Sequence, residues 1–180
     1  MKQPKLNITD TELAQFNGAD PTKPIYLAVN GSVYDVSASP HMYGPGGGYH
    51  FFSGRDATRA FVSGCFAQDL TWDLRGLEEM YVDKEADDAE AAEIAELAAG
   101  VENGKRHAEA KEGRLRWLRS RREKRRAEAR EKVNAQVAHW KKFFEEHDKY
   151  FYVGVVTHES LEGTPIKEVC KKGGRRKGAP

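Results

Sequence analysis

The sequence predicts an α+β fold in which a small sheet with short helices is interrupted by a long charged helical insertion. Two β-rich segments, residues 25–29 and 32–36, are joined by Asn30-Gly31, which is typical of a hairpin turn. Residues 82–132 are rich in alanine and in charged side chains, and this composition favours helix. Residues 150–156 are again aromatic and β-branched and predict a closing strand.

A capping box predicts the first helix. Thr9 and Glu12 have the spacing at which each side chain can bond to the other residue's backbone N–H, and Ile8 can pack on Leu13 as a hydrophobic staple. A further helix is predicted to begin within residues 55–61. Both helices belong to the part of the chain that also contains the hairpin.

The insertion is divided by charge. Residues 83–102 contain eight acidic side chains and one basic one, whereas residues 105–132 contain thirteen basic and five acidic ones. We expect the two blocks to pair with each other. The Arg-rich run at residues 119–126 is also compatible with a protein partner, with nucleic acid or with an anionic membrane. Nucleic acid is the weaker interpretation, because Trp117 is the only aromatic residue of the basic block.

The division of the chain into a compact core and a charged insertion explains its unusual composition. We predict a compact core of residues 6–81 plus 133–158, a charged helical insertion at 82–132, and a basic, glycine-rich, disordered tail at 159–180. The insertion explains why the hydrophobic fraction is only 39% and the charged fraction reaches 32%. The net charge of +1 argues against a general polyanion-binding protein.

Membrane segments and cysteines bear on the expected compartment. The sequence has no apolar run long enough for a transmembrane helix and no signal peptide. Cys65 and Cys170 are too few for a disulfide framework or a four-ligand zinc site. We therefore expect an intracellular, reducing compartment, with Cys65 as a small buried side chain.

The loop at residues 41–57 is the most informative segment. It contains Tyr43-Gly-Pro-Gly-Gly-Gly-Tyr49, and its glycines allow the backbone to approach a bound group closely. Together with Val-Tyr-Asp-Val-Ser at residues 33–37 and Gly-Arg-Asp-Ala-Thr-Arg-Ala at residues 54–60, this loop resembles the cytochrome b5-like haem/steroid-binding domain. Within that group the sequence is most similar to the membrane-associated progesterone receptor (MAPR) family.

The resemblance implies a cytochrome b5-like fold, haem b as the cofactor and a set of site residues. Tyr49 stands at the family's axial iron ligand, and Tyr43 stands where the family has a tyrosine that hydrogen-bonds the haem. Lys149 and Tyr150 match a Lys-Tyr pair that lies against the haem edge and its propionates. No catalytic residues are implied.

One departure separates this chain from the electron carriers of the same fold. Electron-carrier cytochrome b5 has a ligand histidine in His-Pro-Gly-Gly, and Gly44 takes its place here. Electron transfer with two histidine ligands would therefore need His41 or His50, which flank the loop. A tyrosinate is a hard anionic ligand and favours ferric iron.

Two functions follow. The resemblance implies a non-enzymatic haem-binding regulatory protein that supports sterol metabolism, with haem-thiolate monooxygenases, a sterol or a haem-mediated second copy as partners. It also implies the endoplasmic reticulum or another membrane as the location. The alternative is a haem-free structural adaptor, in which the core is a packing module and the charged insertion binds a protein partner or a larger assembly.

Overall fold

The computed structural model describes residues 5–99 and 105–170, the side chains of the second range from residue 108 onward. The chain divides into two compact units. The first unit contains the residues up to Leu77 and those from Asn134 onward, and the second contains Glu78–Val133.

The first unit contains a four-stranded sheet of β1 (Leu6–Thr9), β2 (Tyr26–Val29), β3 (Ser32–Asp35) and β4 (Phe151–Thr157). The strand order is β1-β4-β3-β2, with β4 parallel to β1 and the other neighbours antiparallel. The last strand therefore lies in the middle of the sheet and joins the N-terminal strand to the hairpin.

Helices of different lengths make up the rest of the secondary structure of the described residues. The α-helices are α1 (Asp10–Leu13), α2 (Pro40–Tyr43), α3 (Thr58–Ser63), α4 (Lys84–Ala99) and α5 (Lys105–Glu146). Three 3-10 turns lie at Ala14–Phe16, His50–Phe52 and Leu77–Met80. The predicted α+β class is confirmed.

The local motifs have the geometry that the sequence predicts. Asn30 and Gly31 have φ angles of 49° and 77°, as a tight hairpin turn requires. The Glu12 carboxylate accepts from the Thr9 N–H at 2.7 Å, and the Thr9 hydroxyl accepts from the Glu12 N–H at 3.3 Å. The predicted hairpin and capping box are thus both present.

The main core lies on one face of the sheet. Alternate residues of β2, Leu27 and Val29, face this core, whereas Ala28 faces a smaller one, in keeping with the two-residue period of a strand. Aromatic rings fill most of the main core, and the Phe52 and Phe61 centroids are 4.3 Å apart. Its buried members are Ile25, Leu27, Val29, Tyr34, Val36, Tyr43, Phe52, Ala57, Ala60, Phe61, Phe144 and Tyr150.

The second unit contains α4 and the first part of α5, held together largely by ion pairs. Arg122 and Arg125 of α5 each place two guanidinium nitrogens on a carboxylate of α4, those of Asp87 and Glu90. Leu118 of α5 is also buried, with 1% of its surface exposed. The predicted pairing of the acidic and basic blocks is confirmed.

The two cysteines correct one expectation. Cys65 and Cys170 form a disulfide with a Cα–Cα distance of 6.6 Å, whereas the sequence predicted Cys65 only as a small buried side chain. Cys65 is also partly exposed. The partner lies 105 residues away in sequence, and such a pairing depends on tertiary structure that no local pattern shows.

The C-terminal segment also differs from expectation. Residues 159–170, expected to begin a disordered tail, pack on the first unit, where Arg59 donates to the backbone carbonyls of Lys167 and Glu168. Residues 171–180 of the predicted tail lie outside the described residues. Among the helices of the described ranges, none combines the length and the apolar character that a membrane span requires.

Candidate functional site

The glycine-rich loop follows α2 and folds back on it. The Gly44 N–H donates to the Pro40 carbonyl at 2.8 Å, and the Tyr49 N–H donates to the Met42 carbonyl at 2.9 Å. A Cβ on Gly44 would lie 2.5 Å from the Pro40 carbonyl oxygen, and one on Gly47 would collide with the Met42 carbonyl. Glycine is therefore needed at both positions for this reversal.

The reversal brings the two tyrosines of the loop together. The ring centroids of Tyr43 and Tyr49 are 6.3 Å apart, and those of Tyr43 and Tyr150 are 5.9 Å apart. Tyr43 is 5% exposed, and burial together with the neighbouring Tyr150 raises the pKa of its phenol above the ordinary value. The Tyr150 hydroxyl donates to the Ser39 hydroxyl at 3.2 Å. Tyr43 is therefore held as a neutral phenol beside a tyrosine whose hydroxyl is already engaged.

Tyr49 differs from both neighbours. Its side chain is partly exposed at the edge of the main core, and its ring stacks on Phe52 at 6.1 Å and meets Phe51 at 6.3 Å. Its hydroxyl has no hydrogen-bond partner among the residues that the structure describes. Tyr49 thus presents a fixed ring and an uncommitted oxygen.

The surroundings of Tyr49 are apolar and partly open. Met42, Phe51, Leu70 and Trp140 also lie partly buried against the main core. A Cβ added to Gly46 or to Gly48 would meet no heavy atom within 4 Å, so the loop is uncrowded on that side. The result is an aromatic rim beside an accessible phenol.

The predicted Lys-Tyr pair takes two different positions. Tyr150 is buried with Tyr43, as described above, whereas Lys149 is exposed and its ammonium has no ion-pair partner in the described part of the chain. The Lys149 N–H donates to His147 Nδ1 at 3.1 Å, and the His147 ring stacks on Tyr150 at 3.8 Å. The structure therefore brings three predicted site tyrosines together and leaves the lysine at the surface.

The flanking histidines are placed differently from one another. His50 Nε2 lies 2.9 Å from the Asn17 carbonyl oxygen, which occupies that nitrogen as a donor. His41 is exposed on α2. The contact with Asn17 disfavours His50 Nε2 as an iron ligand.

The comparisons with known proteins agree with this site. The sequence profile of the family described as "Cytochrome b5-like Heme/Steroid binding domain" matches residues 9–116, more than half of the chain. The chain belongs to this family. Its b5-like fold has a small mixed sheet with helices, and a long helix follows the core.

Curated relatives with similar sequences are named as steroid-binding and progesterone-binding proteins. It is 49% identical over 71 residues to Membrane steroid-binding protein 1 of Arabidopsis thaliana, a match that covers 39% of this chain and 32% of the relative. It is 58% identical over 67 residues to Membrane-associated progesterone-binding protein 4 of the same plant, covering 37% and 27%. The match thus spans less than a third of the length of these relatives.

A solved structure supports the fold. A hypothetical protein from Arabidopsis thaliana, described as having a cytochrome b5 like fold, matches with a TM-score of 0.50 and 25% identity. The match covers 87% of this chain and 94% of that protein. The predicted cytochrome b5-like fold is confirmed.

Sequence reasoning missed a polar cluster in this chain. Asp56, 3% exposed, accepts from the Gly31 N–H at 2.8 Å, and the Thr58 hydroxyl also bonds to it. His158 lies between Asp56 and Asp10. Its Nε2 is 3.1 Å from the Asp56 carboxylate, and its Nδ1 is 2.8 Å from the Asp10 carboxylate. The only signal was the Gly-Arg-Asp-Ala-Thr-Arg run itself, which contains Asp56 and Thr58 but points to no histidine about 100 residues later.

Proposed function

We propose that this protein binds haem b through the phenolate of Tyr49 and acts as a regulatory haem protein rather than as an enzyme. The observation that carries the proposal is the contrast between two adjacent phenols. Tyr43 is buried with a raised pKa, whereas Tyr49 is partly exposed and its hydroxyl has no partner among the described residues. One oxygen is suited to stay protonated and the other is available to a ligand.

The residues present fit a ferric haem. Ferric haem supplies a Lewis-acidic iron at the centre of a flat apolar ring, and tyrosine is one of its known axial ligands. Tyr49 would give up its phenolic proton to bind, since a neighbouring metal charge favours the anionic oxygen. Tyr43 would keep its proton and donate a hydrogen bond from its O–H to the haem.

The aromatic side chains around Tyr49, together with Lys149, would supply the remaining contacts with haem. Phe51 and Phe66 stack at 5.6 Å, and Phe66 is 38% exposed, so they offer an apolar edge to a flat ring. Lys149 has an exposed ammonium that can pair with a propionate carboxylate. The same partly exposed apolar edge could receive a sterol or the apolar surface of a second copy.

Partners and location are part of the same proposal. Relatives are named as membrane steroid-binding and membrane-associated progesterone-binding proteins. We extend this to a role beside a membrane, the endoplasmic reticulum in the first instance, in support of sterol metabolism by haem-thiolate monooxygenases. A sterol and a haem-mediated homodimer are the other proposed partners.

A haem titration tests this function. Apoprotein is titrated with ferric haem, and the affinity is compared among the wild type, Tyr49→Phe and Tyr152→Phe. Tyr152 is a matched control because it is also a partly exposed tyrosine, 41% exposed, on β4. We expect Tyr49→Phe to bind at least ~10-fold more weakly, since one tenfold step corresponds to ~1.4 kcal/mol of ligand binding, and Tyr152→Phe to match the wild type.

The adaptor hypothesis makes the opposite prediction. A wild-type protein that folds but takes up no haem, or three variants of equal affinity, would reject the proposal. The first of these results would favour the haem-free adaptor, in which the α4–α5 pair is the working surface.

A further inference from the structure

The C-terminal strap, defined as residues 158–170, is held at both ends. His158 at its beginning lies between Asp10 and Asp56, and Cys170 at its end is bonded to Cys65. Between them, Arg75 Nη2 donates to the Thr164 hydroxyl at 2.7 Å. The strap therefore closes over the first unit as a covalently fastened segment.

The strap covers a buried arginine. Arg59 is fully buried and donates from all three guanidinium nitrogens. Its Nε bonds to Asp69 and its Nη1 to the carbonyls of Asp73 and Arg75, while its Nη2 bonds to the strap carbonyls of Lys167 and Glu168 at 3.0 and 3.2 Å. Of the Arg59 contacts, only those of Nη2 would be lost if the strap opened, and water could replace them. Opening is therefore compatible with a folded core.

The cysteines also lie beside a carboxylate. Cys65, Cys170 and Asp69 place one ligand atom each within 4.8 Å of one another, which resembles a metal site. However, Asp69 is already paired with Arg59 at 3.1 Å and with Lys167 at 3.4 Å, and these two cations oppose a metal ion. The geometry instead favours a closed disulfide beside a neutralised carboxylate.

The disulfide is one residue away from the rim of the Tyr49 site. Phe66 follows Cys65 and packs on Phe51 at 5.6 Å and on Phe52 at 5.4 Å. Both of these rings contact Tyr49. A shift of Cys65 would therefore move Phe66, and through Phe51 and Phe52 it would reach the Tyr49 ring.

We propose that the Cys65–Cys170 disulfide is a redox-controlled clasp, which fastens the strap over Arg59 when oxidised and steadies the Phe66 rim of the Tyr49 site. A dithiol reductant opens it: the S–S bond accepts two electrons and two protons and becomes two thiols, and the reductant becomes a disulfide. Cys65 and Cys170 are both partly exposed, so a thiolate can approach. The rim half of the proposal rests on the function proposed for Tyr49.

The clasp is tested without haem. Wild-type protein and Cys65→Ser/Cys170→Ser are compared by hydrogen exchange, with and without dithiothreitol. We expect reduction to accelerate exchange of the strap amides, such as the Thr164 N–H that donates to the Leu161 carbonyl, by roughly tenfold or more. The serine variant should exchange at the reduced rate under both conditions. Unchanged strap exchange on reduction, or alkylation of both thiols without reductant in air-oxidised protein, would overturn the clasp.

The rim is tested by haem affinity in the absence of reductant. Oxidised wild type is compared with Cys65→Ser/Cys170→Ser, so that no thiol reagent contacts the iron. Ala67→Ser, at an exposed position, is the control. We expect the double variant to bind about fivefold or more weakly. Equal affinities would reject the coupling to Tyr49. If no form binds haem, the function proposed above fails, and the exchange experiment still decides whether the clasp exists.

Discussion

The Arg122 guanidinium meets the Asp87 carboxylate at two points, with 3.0 Å from Nε to Oδ1 and 2.8 Å from Nη2 to Oδ2. Asp87 is 3% exposed, so the pair is little screened by water. The hydrogen bonds from Arg122, which outweigh the opposing effect of burial, and the nearby Arg126 lower the pKa of Asp87 to about 2. This pair joins α4 to α5 within the second unit.

Replacing this carboxylate should loosen the α4–α5 pair. We expect Asp87→Asn to lower the free energy of unfolding by about 2 kcal/mol at pH 7, the amount that the pKa shift represents. Because the folded pKa lies below the unfolded value of 3.8, the stabilisation is present above about pH 4 and is lost as the pH falls toward 2. Urea unfolding followed by helical circular dichroism measures both effects.

The control for this variant is Asp88→Asn, its exposed neighbour on the same helix. It should change stability by less than about 0.5 kcal/mol, as surface substitutions usually do. Equal losses for the two variants would show that the Arg122 contact is not what holds the helices together.

His158 gives the first unit a pH dependence of the opposite sign. Burial alone would lower the pKa of the imidazole, but hydrogen bonds and charges from Asp56 and Asp10 outweigh it and raise the pKa above 6.5. A group with a raised folded pKa stabilises fully below its unfolded value, and this stability is lost as the pH rises through the folded pKa. We expect the unfolding free energy to fall as the pH rises above 6.5 and through the raised folded pKa of His158.

Two variants test whether His158 causes the expected fall of the unfolding free energy. His158→Gln should show a flatter profile above pH 6.5, whereas His41→Gln, at an exposed position on α2, should keep the wild-type profile. A His158→Gln profile that still falls as steeply as the wild type would assign the pH dependence to other groups.

Arg59 should tolerate no conservative replacement. Lysine has three donors on one nitrogen and cannot reach the carbonyls of Asp73, Arg75 and Lys167 together. Asp69 would also keep a buried charge with a weakened partner, and breaking such a pair costs about 3 kcal/mol or more. Thermal unfolding of Arg59→Lys should show this loss, and Arg55→Lys, which is exposed, should not. A small effect at both positions would contradict the structural role of Arg59.

The features that the sequence predicted are short-range. The Thr9–Glu12 capping box and the Asn30-Gly31 turn depend on residues within one turn of each other, so their chemistry is visible in a short window. The two tyrosines of the loop were found in the same way, because they lie six residues apart on a motif. The pairing of the acidic and basic blocks followed from charge alone.

The features that the sequence did not predict join distant segments. Cys65 meets Cys170 only because the chain returns to the first unit from Asn134 onward, and two cysteines in a sequence do not indicate whether they pair. The same holds for His158 and Asp56, 102 residues apart, and for the strap carbonyls on Arg59. Each of these contacts is set by the tertiary fold, which local composition does not encode.

Resonance Raman spectroscopy of the ferric haem complex tests the central claim most directly, because it reports which atom binds the iron. We predict phenolate vibrations that shift when the protein contains ring-deuterated tyrosine, that disappear in Tyr49→Phe and that persist in Tyr43→Phe. A complex without phenolate vibrations, or one in which they survive the loss of Tyr49, would contradict the account.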